Sequence, residues 1–299
     1  YCGVYGHKPT WGIVPYRGHF LPGIVHPSDI SVAGPLARSA RDLAAMMKLL
    51  AGSDGTETRG VTIKLPLAEQ TSFKDFRVAV MLSDPVSEVD QPVQDMIAKL
   101  ARFLERKVRK FSMTARPEFS TREAMDIYIA LLRSATSRRQ TDADFVENTA
   151  KVANFAGDDK SYYTMMTKAY VMPHRSWLMV NERRHQMRLL WDKFFEDWDV
   201  LLCPAAASAA FPHDHEGERH DRFITVNGRQ VPGTDQIFWA GYSGGFLLPS
   251  TVAPLGLTPQ GLPSGVQIVT RQYGDYTSIR FAELIEREYA AFAPPPGYI

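Results

Sequence analysis

Within "FWAGYSGGFLLPS" (238–250), Gly241-Tyr242-Ser243-Gly244-Gly245 satisfies G-x-S-x-G. In one class of hydrolases this pattern lifts a nucleophilic serine onto a sharp turn between a strand and a helix. Residue order argues against that use here. Those hydrolases place the acid and then the histidine after the serine, whereas His7, His19, His26, His174, His185, His213, His215 and His220 all precede Ser243. Convergent triads use other orders, so a differently built serine hydrolase stays open. A structural turn made of small residues is the favoured reading.

Three further groups carry chemistry. In "FPHDHEGERHD" (211–221), His213, Asp214, His215, His220 and Asp221 are types that ligate zinc or another divalent ion. No cysteine or second well-spaced histidine pair completes such a set, and a solvated loop is favoured. Lys8 in "GHKPT" would act as a general base if desolvated, although local pairing or capping is favoured. Phe238, Trp239, Tyr242 and Phe246 either line a pocket for an apolar substrate or simply pack the core.

These residues need a scaffold, and composition bounds it. A chain of 299 residues, 44% hydrophobic, buries a sizeable core. Lys and Arg number 34 against 33 Asp and Glu, a net charge of +1 that directs the chain toward neither nucleic acid nor an anionic membrane. The weakly polar run 200–211 is broken by Pro204 and falls well short of the roughly 20 apolar residues of a spanning helix. Two cysteines, Cys2 and Cys203, fit a reducing compartment, so the cytoplasm is expected. The chain opens at Tyr1 with no initiator methionine, in a stretch dense with glycine, aromatics and proline. A fragment of a longer protein is expected.

Periodicity supplies the elements. Ser39 caps a helix whose apolar face is Leu43, Met46, Met47 and Leu50, with Gly52 at its end. "FRVAVML" (76–82) and "DVLLCP" (199–204) read as buried strands. Between them Asp90 caps a second helix with Pro92 in its first turn and Val93, Ile97, Leu100 and Leu104 on one face. Helical patterns also fit 121–138 and 173–198, while 139–170 is polar and shows no clear pattern. Asn227-Gly228 marks a hairpin in "RFITVNGRQV" (222–231). Two strands at 250–255 and 264–269 and a helix from 276 to 291 close the chain. Strands and helices intermixed predict an α/β class with a mixed sheet.

Three segments together resemble the amidase signature family. "YCGVYGHKPTWGIVP" is similar to the family's F-C-G-x-x-G-x-K-P-T-x-G stretch, and "DISVAGPLARSARDLAAMMKLLAG" to its G-P-[LM]-A-R-[ST]-x-x-D-x-A helix start. "PSTVAPLGLTPQGLPSGVQIV" resembles its P-x-x-x-V-P-x-G-x-x-x-x-G-L-P-x-G-[VL]-Q hairpin. Order and spacing agree across nearly the whole chain, and residues 110–235 match only loosely.

The resemblance implies a large twisted mixed β-sheet covered by helices, residues 1–299 being the C-terminal portion of one such domain without its N-terminal part. It implies hydrolysis of a linear carboxamide C–N bond by a serine nucleophile, a relay serine on a cis peptide and a lysine base, with no metal or organic cofactor. The family's nucleophile segment would lie just ahead of Tyr1, and Lys8 matches the K-P-T lysine rather than the base. No catalytic residue is therefore assigned, and the chain alone is expected to be inactive. Trp239, Tyr242 and Ser243 are carried over as substrate-binding residues, although relatives often hold an Asn near Gly244. The expected partner is a small-molecule amide, with no nucleic acid and no membrane. Homo-oligomers stay open, because unsupported sheet edges would promote association. The alternative is a non-catalytic remnant of the same fold that binds small molecules or regulates.

Overall fold

A computed structural model describes residues 1–20 and 23–298. The chain runs through β1 (Tyr5–Lys8), β2 (Leu36–Ala37), α1 (Ala40–Leu50), β3 (Arg77–Val80), α2 (Gln91–Glu105), β4 (Lys110–Ser112) and α3 (Thr121–Thr136). It continues through α4 (Asp142–Ala153), α5 (Tyr162–Tyr170), α6 (His174–Asp197), β5 (Val200–Pro204), β6 (Phe223–Val226) and β7 (Arg229–Pro232). α7 (Ile237–Gly244), β8 (Ser250–Leu257), β9 (Pro263–Val269) and α8 (Asp275–Glu288) complete it.

Seven strands form one sheet in the order β2-β1-β8-β9-β5-β3-β4, and β6 and β7 pair separately. β5, β3 and β4 are parallel, whereas β1, β8, β9 and β5 are successively antiparallel, so the sheet is mixed as expected. All five residues of β5 are buried, which is why that strand reads as a continuous apolar run. α1, α2 and α8 cover one face, where Phe281 of α8 meets Phe76 and Phe73 edge-on at 4.9 and 5.3 Å. The other face carries α7, backed by α3 and α6.

Several expectations change in detail. Ser39 accepts from the Asp42 N–H as a cap should, but α1 stops at Leu50 with Ala51 as its C-cap. Gly52 is not that cap, because its N–H reaches across to the Ile13 carbonyl at 2.9 Å. Asp90 precedes α2 without a side-chain cap, since its Oδ1 accepts from the Asn227 N–H at 2.8 Å. Asn227 Oδ1 in turn accepts from the Gln91 N–H at 2.8 Å, so the hairpin caps the helix. Asn227 and Gly228 both hold positive φ (50° and 75°), as the tight turn requires. The polar stretch 139–170 holds α4 and α5, and the serine-bearing segment is the helix α7 rather than a turn.

Candidate functional site

Strand alternation sorts the "GHK" of β1 onto two faces. Gly6, His7 and Lys8 stand opposite Val252, Thr251 and Ser250 of β8. His7 and Thr251 therefore face α8, and Lys8 and Ser250 face α7.

On the α8 side, His7 Nε2 lies 3.1 Å from Asp275 Oδ1 and His7 Nδ1 lies 2.9 Å from Thr251 Oγ1. Asp275 also accepts from the Thr10 N–H at 2.8 Å and the Thr10 hydroxyl at 2.7 Å. Burial pushes His7 below its ordinary pKa, and Asp275 opposes this without reversing it. Burial works against the Asp275 carboxylate, yet the bonds from His7 and Thr10 outweigh it and hold Asp275 below the usual range. The arrangement has the residue types of an acid–imidazole–hydroxyl relay. All three side chains are buried, and their hydrogen bonds tie α8 to β1.

On the α7 side, Ser243 Oγ donates to Gln267 Oε1 at 2.8 Å and lies 3.1 Å from Ser250 Oγ. Its one proton is thus committed, and Ser250 donates to it. Gln267 Nε2 donates to the Trp239 carbonyl at 3.0 Å and the Pro204 carbonyl at 3.3 Å. No imidazole approaches Ser243 among the described residues, which leaves the nucleophile-elbow reading without a base. Lys8 runs beside α7, its Cδ 3.9 Å from where a Cβ on Gly244 would sit, and Nζ donates to the Pro9 carbonyl at 3.0 Å. Burial pushes its amine down to about 8 against the pull of Asp275. Burial likewise lifts the Cys203 thiol, up to about 12, so Cys203 is inert packing.

Trp239, Tyr242 and Ser243 are brought together on α7, all three buried. The Tyr242 ring meets Trp191 at 5.2 Å and Phe238 at 5.3 Å, and Trp239 meets Phe238 edge-on at 4.9 Å. The Trp239 indole Nε1 has no acceptor among the described residues. Leaving such a donor buried and unpaired costs about 1–3 kcal/mol.

Tyr128 of α3 joins this cluster to open space. Its ring covers Gly241 and Gly245, where added Cβ atoms would lie 2.1 and 2.9 Å from ring carbons. With Phe238, Gly241 and Tyr242 it bounds a crevice with no room for water. The same Tyr128 also lines a cavity of about 680 Å³ between α3 and residues drawn from 16–20 and 24–31. Sequence reasoning missed this cavity because those residues show no periodicity. Gln267 was visible as the terminal glutamine of the hairpin motif, but its partners were not.

The histidine loop behaves differently. His213 and His215 sit on the exposed stretch with ring centroids 5.7 Å apart, and His220 stacks on Tyr163 at 4.7 Å. Among the described residues no group of three or more His, Cys, Asp or Glu side chains is placed to hold a metal ion. No helix among them is long and apolar enough to cross a membrane.

Comparison with known proteins adds the lineage. A glutamyl-tRNA(Gln) amidotransferase subunit of Brevibacillus brevis is 24% identical over all of this chain and 62% of its own length. Its counterpart in Methylocella silvestris is 26% identical with the same coverage. The chain thus spans about 62% of the length of these curated relatives. Among solved structures, the same amidotransferase component from Thermotoga maritima superposes with a TM-score of 0.71 at 19% identity, over 100% of this chain and 62% of that one. A bacterial aryl acylamidase gives 0.69 at 21% identity, over 96% and 59%. These structures share the mixed sheet and its helical cover. Since the Amidase family profile matches residues 1–279, the chain belongs to the amidase signature family.

Proposed function

We propose that these residues form the substrate-facing part of an enzyme that hydrolyses a linear carboxamide C–N bond. The nucleophile is a serine that the 299 residues do not include, aided by a relay serine and a lysine base as the family resemblance implies. Residues 1–299 act as the C-terminal portion of one domain, and Trp239, Tyr242 and Ser243 form its acyl-side wall. The observation carrying this reading is the unpaired Trp239 indole N–H beside the aromatic cluster, a donor suited to a substrate carbonyl. Ser243 holds that wall in place through Gln267 rather than attacking. Tyr128 lies between this wall and the cavity that would receive the substrate. The two free cysteines favour a cytoplasmic setting.

The test is amine release from a panel of linear carboxamides by the protein expressed from its complete reading frame. Turnover is expected, and Trp239→Phe should raise KM by about five- to tenfold, one neutral hydrogen bond, without lowering the melting temperature. Binding without turnover across the panel would overturn hydrolysis and favour the regulatory remnant.

A further inference from the structure

The cavity beside Tyr128 has a marked division of chemistry. Tyr16 and Phe20 stack at 5.3 Å and line it with Leu132, giving an apolar wall. Arg138 and Arg139 also line it. Asp29 is the lining carboxylate among the described residues, but its charge is already matched. Arg184, only 3% exposed, reaches its two oxygens at 2.9 and 3.1 Å.

The two arginines are not matched in that way. Arg138 donates only to uncharged acceptors, the His26 carbonyl and Ser28 Oγ, both at a long 3.4 Å. Arg139 forms no ion pair among the described residues, although it borders a neighbouring depression that holds Asp144 and Glu147. Those carboxylates are occupied, Asp144 by the Thr141 hydroxyl and N–H at 2.8 and 2.9 Å and Glu147 by Lys151 at 2.7 Å. Two guanidinium groups on a cavity with no free carboxylate make an anion-selective mouth over an aromatic interior. Planar guanidinium forks suit carboxylates in particular.

We propose that this cavity takes a carboxylate-bearing aromatic amide, its ring between Tyr16, Phe20 and Tyr128 and its carboxylate on Arg138 and Arg139. The amide is then directed toward α7, and this orientation alone rests on the amide-hydrolase reading above. The anion preference rests on the charges lining the cavity.

Calorimetric titration with two near-isosteric probes, terephthalamate and the neutral terephthalamide, separates the two ideas. The anion should bind at least about tenfold more tightly, the range of charge-assisted hydrogen bonds. In the Arg138→Gln/Arg139→Gln double variant that preference should shrink to about twofold or less, while terephthalamide binds as before and shows the variant to be folded. Equal affinities for the two probes, or a preference that survives the double variant, would overturn the anion assignment and leave the amide-hydrolase reading intact. If neither probe bound, or if Tyr128→Ala left both affinities unchanged, the cavity would be removed as the ligand site. Turnover of carboxamides by the complete protein would still test the hydrolase reading independently.

Discussion

Gln267 spends its amide on three partners in two elements, accepting from Ser243 of α7 and donating to the carbonyls of Trp239, also on α7, and of Pro204 on β5. A buried polar network of this kind is rigid only while every member is paired. Gln267→Leu would strand two carbonyls and the Ser243 hydroxyl, and should cost about 3 kcal/mol or more in urea denaturation. Ser243→Ala, which removes the partner of the Gln267 Oε1 and of the Ser250 hydroxyl, should cost about 1–2 kcal/mol. Equal effects from the two would show that the network is not carried by the glutamine. The glutamine and the serine were both visible in the sequence, one at the end of a hairpin motif and one in a glycine-rich pattern. Their hydrogen bond was not, because 24 residues separate them and no local period links them.

At the scale of elements, α7 shows how packing overrides local preference. Gly241 and Gly245 lie four apart, on one side of the helix end, and a glycine pair there reads as a turn because glycine is a poor helix former. In the fold that pair is a flat seat for the Tyr128 ring. Gly241→Ala would place a Cβ 2.1 Å from a Tyr128 ring carbon. Overpacking of about 1–3 kcal/mol should then outweigh the roughly 1 kcal/mol gain in helix propensity. The melting temperature should fall, whereas Gly52→Ala, with nothing within 4 Å of its Cβ, should leave it nearly unchanged. A rise for Gly241→Ala would mean that Tyr128 does not rest on α7. α4 escaped the sequence reading for the opposite reason, since it buries no residue and so has no apolar stripe. Its start is set instead by reciprocal bonds between Thr141 and Asp144.

Across the whole molecule, the His7–Asp275 contact ties β1 to α8 over 268 residues of chain. Because burial lowers the folded-state pKa of His7 from 6.5, the unfolded chain binds more protons once the pH falls below that value. Stability is therefore full above about pH 6.5 and declines as the pH drops through that range. Asp275, held below its ordinary 3.8, adds a second loss at more acid pH as it is protonated. Urea midpoints should fall from pH 8 to pH 5, and His7→Gln should flatten that limb. A midpoint that rises on acidification would show that His7 is charged in the folded state. The mixed sheet was legible as a class because its central strands are continuous apolar runs. The strand order was not, since pairing β1 with β8 depends on contacts far apart in sequence.

The sequence by itself determined the family motifs, most of the helices and strands, and the absence of any histidine after Ser243. These are local patterns, readable because capping, periodicity and turn chemistry act over a few residues. Only the tertiary structure decided that Ser243 is bound to Gln267, that Lys8 lies on the α7 face, and that Tyr128 links the aromatic cluster to an arginine-lined cavity. Each of these rests on side chains from distant segments sharing one buried environment, and burial and partner geometry exist only once the chain has packed.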